Sequence, residues 1–255
     1  MNSTASTKVA VLTGASSGIG RALAKELMHE GYRLGLVARR GDELQKLTAE
    51  IRTSGGTAEF EVADVSNRES TLAAIHKLAE RLGPVDLLIA NAGMGAHTHL
   101  EPPMNTAENE QMFCVNFFGV MYAIEAVLPS MLHRGSGHLA AVSSLAAYKG
   151  LPGSAGYCAS KAAVKTYMEA LRIQLRSRGI HVTTIFPGFV RTPMTELHPF
   201  KMPFLMEADE AARRIARALR RKKKEFHFPW QTERLVKFSR WLPDWIMERI
   251  SRGTY

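Results

Sequence analysis

The chain reads as α/β, a doubly wound parallel sheet covered by helices on both faces, with a basic amphipathic helical tail at its C-terminus. Three observations predict this. Strand-length apolar runs recur at Val9 to Leu12, Leu34 to Val37, Ala58 to Val62, Val85 to Ala90, Gly137 to Val142 and Val182 to Phe186, with helix-length segments between most of them. Alternation of that kind builds a parallel sheet between helical layers. At 255 residues and 45% hydrophobic content, the chain can bury a sizeable core, and nothing suggests a second catalytic domain. The polar and glycine motifs fall just after strands, at the carboxyl edge where such sheets bind ligands.

The first strand, in Lys8 to Leu12, runs into Thr13, Gly14, Ala15, Ser16, Ser17, Gly18, Ile19 and Gly20, and Arg21 to Glu30 then reads as an amphipathic helix. Strand, glycine loop and helix is the context of a dinucleotide-binding, Rossmann-like unit. Gly14 would allow the tight turn, Gly18 the approach of a pyrophosphate, and Gly20 close packing of helix on sheet, with the helix N-terminus facing the anion.

The second strand, Arg33 to Ala38, ends in Arg39 and Arg40. An acidic residue at this place holds a ribose 2′-hydroxyl, whereas arginine accommodates a 2′-phosphate. Ala38 stands where the acid would be, so NADP(H) is the expected cofactor, with Ser16 placed to add a hydroxyl contact to the same phosphate.

Tyr157 and Lys161 lie four residues apart in a helical stretch, and Ser144 stands thirteen residues before Tyr157. Side chains at i and i+4 share a helix face, so an ammonium beside a phenol would favour ionisation of a group whose pKa is otherwise about 10. Hydride transfer to a carbonyl builds negative charge on oxygen and requires donors aimed at that atom, which two hydroxyls supply.

Together these residues resemble the short-chain dehydrogenase/reductase family, in its single-domain branch, over roughly residues 8 to 220. The likeness rests on the TGASSGIG loop, Asp64 and Val65 after the third strand, Asn91-Ala92-Gly93 after the fourth, Asn116 in VNFFG, Ser143-Ser144, the Tyr157/Lys161 pair, and Pro187-Gly188 followed by Thr192. Ala90 departs from the pattern, standing where many members carry a further Asn. The resemblance implies Tyr157 as general acid or base, and Lys161 as the group that lowers the phenol pKa and holds the nicotinamide ribose. Ser144 would orient the carbonyl, with Ser143 the weaker candidate, and Asn116 would anchor a water linking the lysine to solvent. Asp64 and Val65 would bracket the adenine, and Asn91, Ala92 and Gly93 would line the cleft. Pro187, Gly188, Val190 and Thr192 would cover the nicotinamide. It also implies a homodimer or homotetramer built through the helices carrying Asn116 and Tyr157.

On this reading residues 1–225 form the NADP(H)-binding catalytic domain. Residues 190–208 form a mostly apolar, mobile lid that includes Pro193, Met194, Leu197, Phe200, Phe204, Leu205 and Met206. Such a lid suits a hydrophobic or lipid-like carbonyl or alcohol substrate. A non-catalytic NADP(H)-binding regulatory module is the competing function class, against which the intact Ser144, Tyr157, Lys161 and Asn116 set argues.

Cys114 and Cys158 are the two cysteines and show no metal-ligand spacing, so no metal is expected and a reducing, cytoplasmic compartment fits. His97 and His99 lie in the loop after Asn91, either near substrate or on the surface. Met1 to Thr7 is short and polar, which gives no secretory signal, and no run is expected to span a bilayer.

The tail, residues 226–255, is where the charge gathers. Residues 213 to 255 hold thirteen Lys plus Arg against four Asp plus Glu, a difference of +9 that equals the formal charge of the whole chain. Trp230, Trp241 and Trp245 are its only three tryptophans. Leu235, Phe238, Trp241, Leu242, Trp245, Ile246 and Ile250 recur at helical spacing among Arg234, Lys237 and Arg240, with Pro243 opening a second short helix. Two readings stay open: docking on an anionic membrane surface, or packing on the domain or a subunit boundary. The run Arg220 to Lys224 ends a predicted helix, where cations complement the dipole, so no nucleic acid is expected.

Overall fold

Seven strands form one sheet in the order β3-β2-β1-β4-β5-β6-β7, every neighbouring pair parallel. The computed structural model describes residues 7–96, 98, 104–196, 202–239 and 241–251. The strands are β1 (Val9–Thr13), β2 (Arg33–Ala38), β3 (Ala58–Val62), β4 (Leu87–Ala90), β5 (Gly137–Val142), β6 (Ile180–Pro187) and β7 (Glu225–Phe228). The interior strand β1 is buried along its whole length, as expected of a parallel strand covered on both faces. Strand order reverses between β1 and β4, and that switch opens a crevice at the carboxyl edge.

On one face lie α1 (Gly18–His29), α2 (Gly41–Thr53) and α8 (Ala208–Arg220), whose Leu23, Leu47 and Ile215 join one buried cluster. Against the other face lie α3 (Arg68–Leu82), α5 (Gly119–Arg134) and α6 (Ala155–Leu175), which contribute Leu78, Ile124 and Met168 to a second. A shorter helix, α4 (Thr106–Phe113), runs into α5 through a π-helical turn at Cys114–Phe118.

The run Thr106–Arg134 is, by length and composition, apolar enough to cross a bilayer, with a mean hydropathy of 1.6 over its best window. That departs from the expectation of no such run. Here, however, Val120, Ala123, Ile124, Val127 and Met131 are buried in the second core cluster, so the apolarity serves the domain interior.

β7 is the element the sequence reading missed. The sheet runs past the expected tail boundary at 225, because Glu225, Phe226, His227 and Phe228 pair in register with Thr184, Ile185, Phe186 and Pro187. Just before β7, the Thr183 hydroxyl donates to the Lys223 carbonyl at 2.5 Å and the Thr184 amide donates to the Lys224 carbonyl at 3.0 Å. Thus the backbone of the basic run feeds the sheet edge while its side chains stay exposed. Beyond β7 come α9 (Trp230–Ser239) and α10 (Asp244–Ser251), the latter beginning just after Pro243 as the sequence suggests.

Candidate active site

A cleft of about 450 Å3 opens along the carboxyl edge. Gly14, Ser16, Ser17, Gly18, Ile19 and Gly20 line it together with Arg39, Arg40, Asp64, Val65, Asn91, Ala92 and Gly93. Ser144, Tyr157, Lys161, Pro187, Gly188, Val190 and Thr192 complete the wall, so every residue expected at the site except Asn116 reaches one cavity. Ser143, Val115, Pro193, Met194 and Thr195 line it too.

The glycine loop is held in place by β4. Asn91 donates from Nδ2 to the carbonyls of Thr13 and Gly14 at 3.1 and 3.3 Å, and the Thr13 hydroxyl accepts from the amides of Asn91 and Ala92. Gly14 has φ +67°, and a Cβ there would come within 2.7 Å of Ala92 Cα. Gly18, at φ +51°, faces Thr192, whose Cγ2 would lie 2.8 Å from its Cβ. Both positions therefore require glycine for conformation and for close approach within the protein itself. Ser17 caps α1 without a side-chain hydrogen bond to the first amides.

Two strands away from β4, Arg40 donates from Nε and Nη2 to the Ser16 hydroxyl at 3.3 and 3.1 Å. A cation and a hydroxyl thus meet where β2 ends, and Ala38 lines the cleft beside them. Asp64 accepts from the amide and hydroxyl of Ser66, fixing the turn after β3.

On the opposite side, α6 is clipped to the end of β5. The Lys161 ammonium donates to the Val142 carbonyl at 3.0 Å, and the Ser143 hydroxyl donates to the Lys161 carbonyl at 2.8 Å. Ser143 is therefore a structural clip, while the next residue, Ser144, lines the cleft with Tyr157, its hydroxyl donating to the Pro187 carbonyl at 3.5 Å. Ser144 also begins the 3-10 turn Leu145–Tyr148, accepting from the Ala146 amide at 3.1 Å.

The electrostatics differ from expectation. Burial pushes the Tyr157 phenol above its usual value, with the Ser144 hydrogen bond pulling the other way, and burial lowers Lys161 to about 8. The ammonium lies 5.8 Å from the centre of the tyrosine ring and is hydrogen-bonded to a backbone carbonyl, and burial sets the direction of the phenol's shift.

Asn116 stands in the π-helical turn, fully buried. Its Oδ1 accepts from the Met94 amide at 2.8 Å, and its Nδ2 donates to the Met94 carbonyl at 2.9 Å and to the Ser160 hydroxyl at 3.0 Å. The side chain is thus committed to clamping the loop after β4 against α6, and not directed into the cleft. π-turns of this kind concentrate at functional sites. A Cβ on Gly95, in the clamped loop, would touch Met194 Sδ and Tyr157 Cδ2, each at 3.8 Å, so Met194 and the tyrosine ring both flank that loop.

The segment expected to form a lid is tied near its two ends by a bridge between Val190 and Met206. The Arg191 amide donates to the Met206 carbonyl at 2.8 Å, and the Met206 amide donates to the Phe189 carbonyl at 3.0 Å. Met206 is buried, whereas Phe204 and Leu205 are exposed. Leu197 and Phe200 of the lid, and His97 and His99, lie outside the described residues. Among the described residues no group of three or more His, Cys, Asp or Glu could hold a metal ion.

Residues 8–200 match the short chain dehydrogenase family. An uncharacterised oxidoreductase of Myxococcus xanthus is 40% identical over 246 residues, covering 96% of both chains. Among solved structures, an alcohol dehydrogenase from the archaeon Thermococcus sibiricus complexed with 5-hydroxy-NADP superposes with a TM-score of 0.78 at 32% identity, covering 87% of this chain and 95% of that one. A short chain dehydrogenase/reductase from Burkholderia phymatum in complex with NAD gives 0.83 at 26%, covering 90% and 92%. An actinorhodin polyketide ketoreductase with NADPH gives 0.80 at 27%, covering 87% and 95%. With that match across most of its length, and with the family's motifs gathered along one crevice, the chain belongs to the short-chain dehydrogenase/reductase family of oxidoreductases.

Proposed function

We propose that this protein is an NADP(H)-dependent carbonyl reductase or alcohol dehydrogenase acting on a hydrophobic, lipid-like substrate. The observation that carries the reading is that Ser144, Tyr157 and Lys161 line one wall of a cleft that also holds the Arg40 and Ser16 pair. The donor set fits a phosphorylated dinucleotide: a guanidinium and a hydroxyl at the end of β2, no acid at Ala38, and uncapped first amides at α1. Relatives of known structure include both NAD and NADP(H) complexes, so the preference rests on this chain's own residues.

A bound nicotinamide supplies the hydride to the substrate carbon, or accepts it in the reverse direction. Ser144 donates to the carbonyl oxygen and orients it, and Tyr157 gives that oxygen its proton as charge develops. With its phenol raised by burial, Tyr157 stays protonated at neutral pH, which favours reduction. Lys161, held by the Val142 carbonyl beside Gly93, is placed to reach the cofactor ribose. Asn116 holds the Met94 segment that forms the floor near Tyr157. Met194, Pro193 and Val190 present an apolar surface, which supports a hydrophobic substrate. Exposed Phe118 and Ile173 support assembly through the α5 and α6 region as a homodimer or homotetramer.

The test is NADPH oxidation, followed spectroscopically, against a panel of long-chain, cyclic and small ketones and aldehydes. Turnover that rises with substrate apolarity supports the proposal. Tight NADPH binding without turnover on any member of the panel would instead identify a non-catalytic binding module.

A further inference from the structure

Helix α9 is inside out. Toward the domain it turns polar groups beside the half-buried Val236: Thr232 is buried, and Glu233 lies 3.5 Å from His227 Nδ1 on β7. Away from the domain it turns apolar ones, with Trp230, Leu235 and Phe238 exposed by 57%, 55% and 64%. At about 100° per residue, Trp230, Arg234, Phe238 and Leu235 occupy one arc of about 140°, opposite Thr232 and Val236. A helix that only covered its own domain would show the reverse arrangement. Past its end, Trp241 and Trp245 continue the exposure at 87% and 66%.

We infer that this outward face of α9, extended by Trp241 and Trp245, docks on an anionic lipid bilayer surface. Charge selects the occupant. The cations Arg234 and Lys237 stand exposed on α9, while its acid, Glu233, is turned inward toward His227 and paired with Lys237 at 2.7 Å. Arg234 lies 4.9 Å from the Trp230 ring centre, so an apolar ring and a cation share one patch, the composition that seats helices at a headgroup boundary. In α10, Arg249 is exposed beside an exposed Glu248, so the excess of cations on this surface comes from α9.

The position also matters. α9 packs on the 3-10 turn that begins at Ser144, and Gly188 of the cleft wall donates its amide to the Phe228 carbonyl at 2.7 Å, two residues before Trp230. Docking would therefore bring the cleft mouth close to the bilayer. Delivery of an apolar substrate from lipid follows only if the reductase proposal holds, whereas the docking itself does not depend on it.

All three tryptophans lie in this segment, so intrinsic fluorescence of the full chain reads the docking face without a label. The protein is mixed with vesicles of phosphatidylcholine alone and of phosphatidylcholine with phosphatidylglycerol, then followed by tryptophan emission and co-sedimentation. The expected result is a blue-shifted emission and sedimentation with the anionic vesicles, weakening as salt is added. Phe238→Ser with Trp241→Ser should lower vesicle affinity at least about tenfold with the melting temperature unchanged, since both side chains are exposed. Arg234→Glu with Arg249→Glu, which leaves the apolar face intact, should weaken the anionic preference. Equal binding to neutral and anionic vesicles, no binding, or full binding by both variants would overturn the proposal. So would a blue shift on concentrating the protein without lipid, accompanied by dimerisation that the first variant abolishes, because the face would then belong to a second copy. The assay uses neither cofactor nor substrate, so its failure leaves the reductase proposal standing.

Discussion

The hydroxyl of Tyr148 and Nε2 of His227 lie 2.8 Å apart, tying the turn that starts at Ser144 to the edge strand that leads into α9. The imidazole is stacked on Phe186 at 4.6 Å between ring centres, and burial lowers its pKa against the pull of Glu233. A half-buried polar contact thus joins the turn at Ser144 to the C-terminal segment.

Tyr148→Phe should cost about 1 kcal/mol of stability, the worth of one such hydrogen bond. It should also lower kcat several-fold by loosening the Ser144 turn, with KM for NADPH unchanged. Thermal unfolding and steady-state kinetics check both. A parallel rise in the NADPH KM would show that the effect spreads beyond that turn.

Tyr157→Phe should fold with an unchanged melting profile and bind NADPH as the parent does, yet lose at least about a hundredfold in kcat for ketone reduction. Ser144→Ala should give a comparable loss, and the double variant little more, since the two hydroxyls act as a unit. Activity retained in the phenylalanine variant would refute the assigned proton donor.

Cofactor choice should reside in Arg40 and Ser16. Arg40→Ala removes the charged donor at the end of β2, worth about 1.5 to 3 kcal/mol, or about ten- to a hundredfold in the NADPH dissociation constant, and leaves NADH binding where it was. Ala38→Asp should turn the preference toward NADH. Calorimetric titration of both dinucleotides against both variants reads the outcome.

His138 on β5 is buried and hydrogen-bonded to Thr183 on β6 at 2.8 Å, and burial, with His181 and Lys222 nearby, lowers its pKa to about 4. Because the unfolded imidazole takes up its proton near pH 6.5, stability should be fully present above that pH and fall progressively toward pH 4, by up to about 3 kcal/mol. His138→Gln, which can keep the Thr183 contact without titrating, should flatten that part of the profile. Equal acid sensitivity in denaturant titrations of the two proteins would assign the loss to other groups.

The layered sheet was legible in the sequence because six apolar strand runs and the motifs at their carboxyl ends follow local patterns. The cleft lining was legible for the same reason: Gly14, Asp64, Asn91, Ser144 and Pro187 each follow a strand, and parallel topology gathers such positions. β7 was not legible, since four residues alternating polar and aromatic sit directly after five consecutive cations, and only pairing with β6 marks them as strand. Nor was the task of Asn116, because its partners Met94 and Ser160 are brought together by tertiary packing. The direction of the Tyr157 shift depends on burial, which a four-residue spacing does not encode. Amphipathy in the tail was visible; which side of α9 faces inward was not.

Because β7 supplies the last rung of the sheet, the C-terminal region cannot be trimmed away as an appendage. A chain shortened to end before Glu225 would leave the backbone groups of β6 that face β7, and the Gly188 amide that donates to Phe228, without their partners. It would also strip the cover from Phe186, presenting an apolar edge open to pairing with other chains. Loss of these final 31 residues should therefore register first as aggregation, and only afterwards as any change in catalysis.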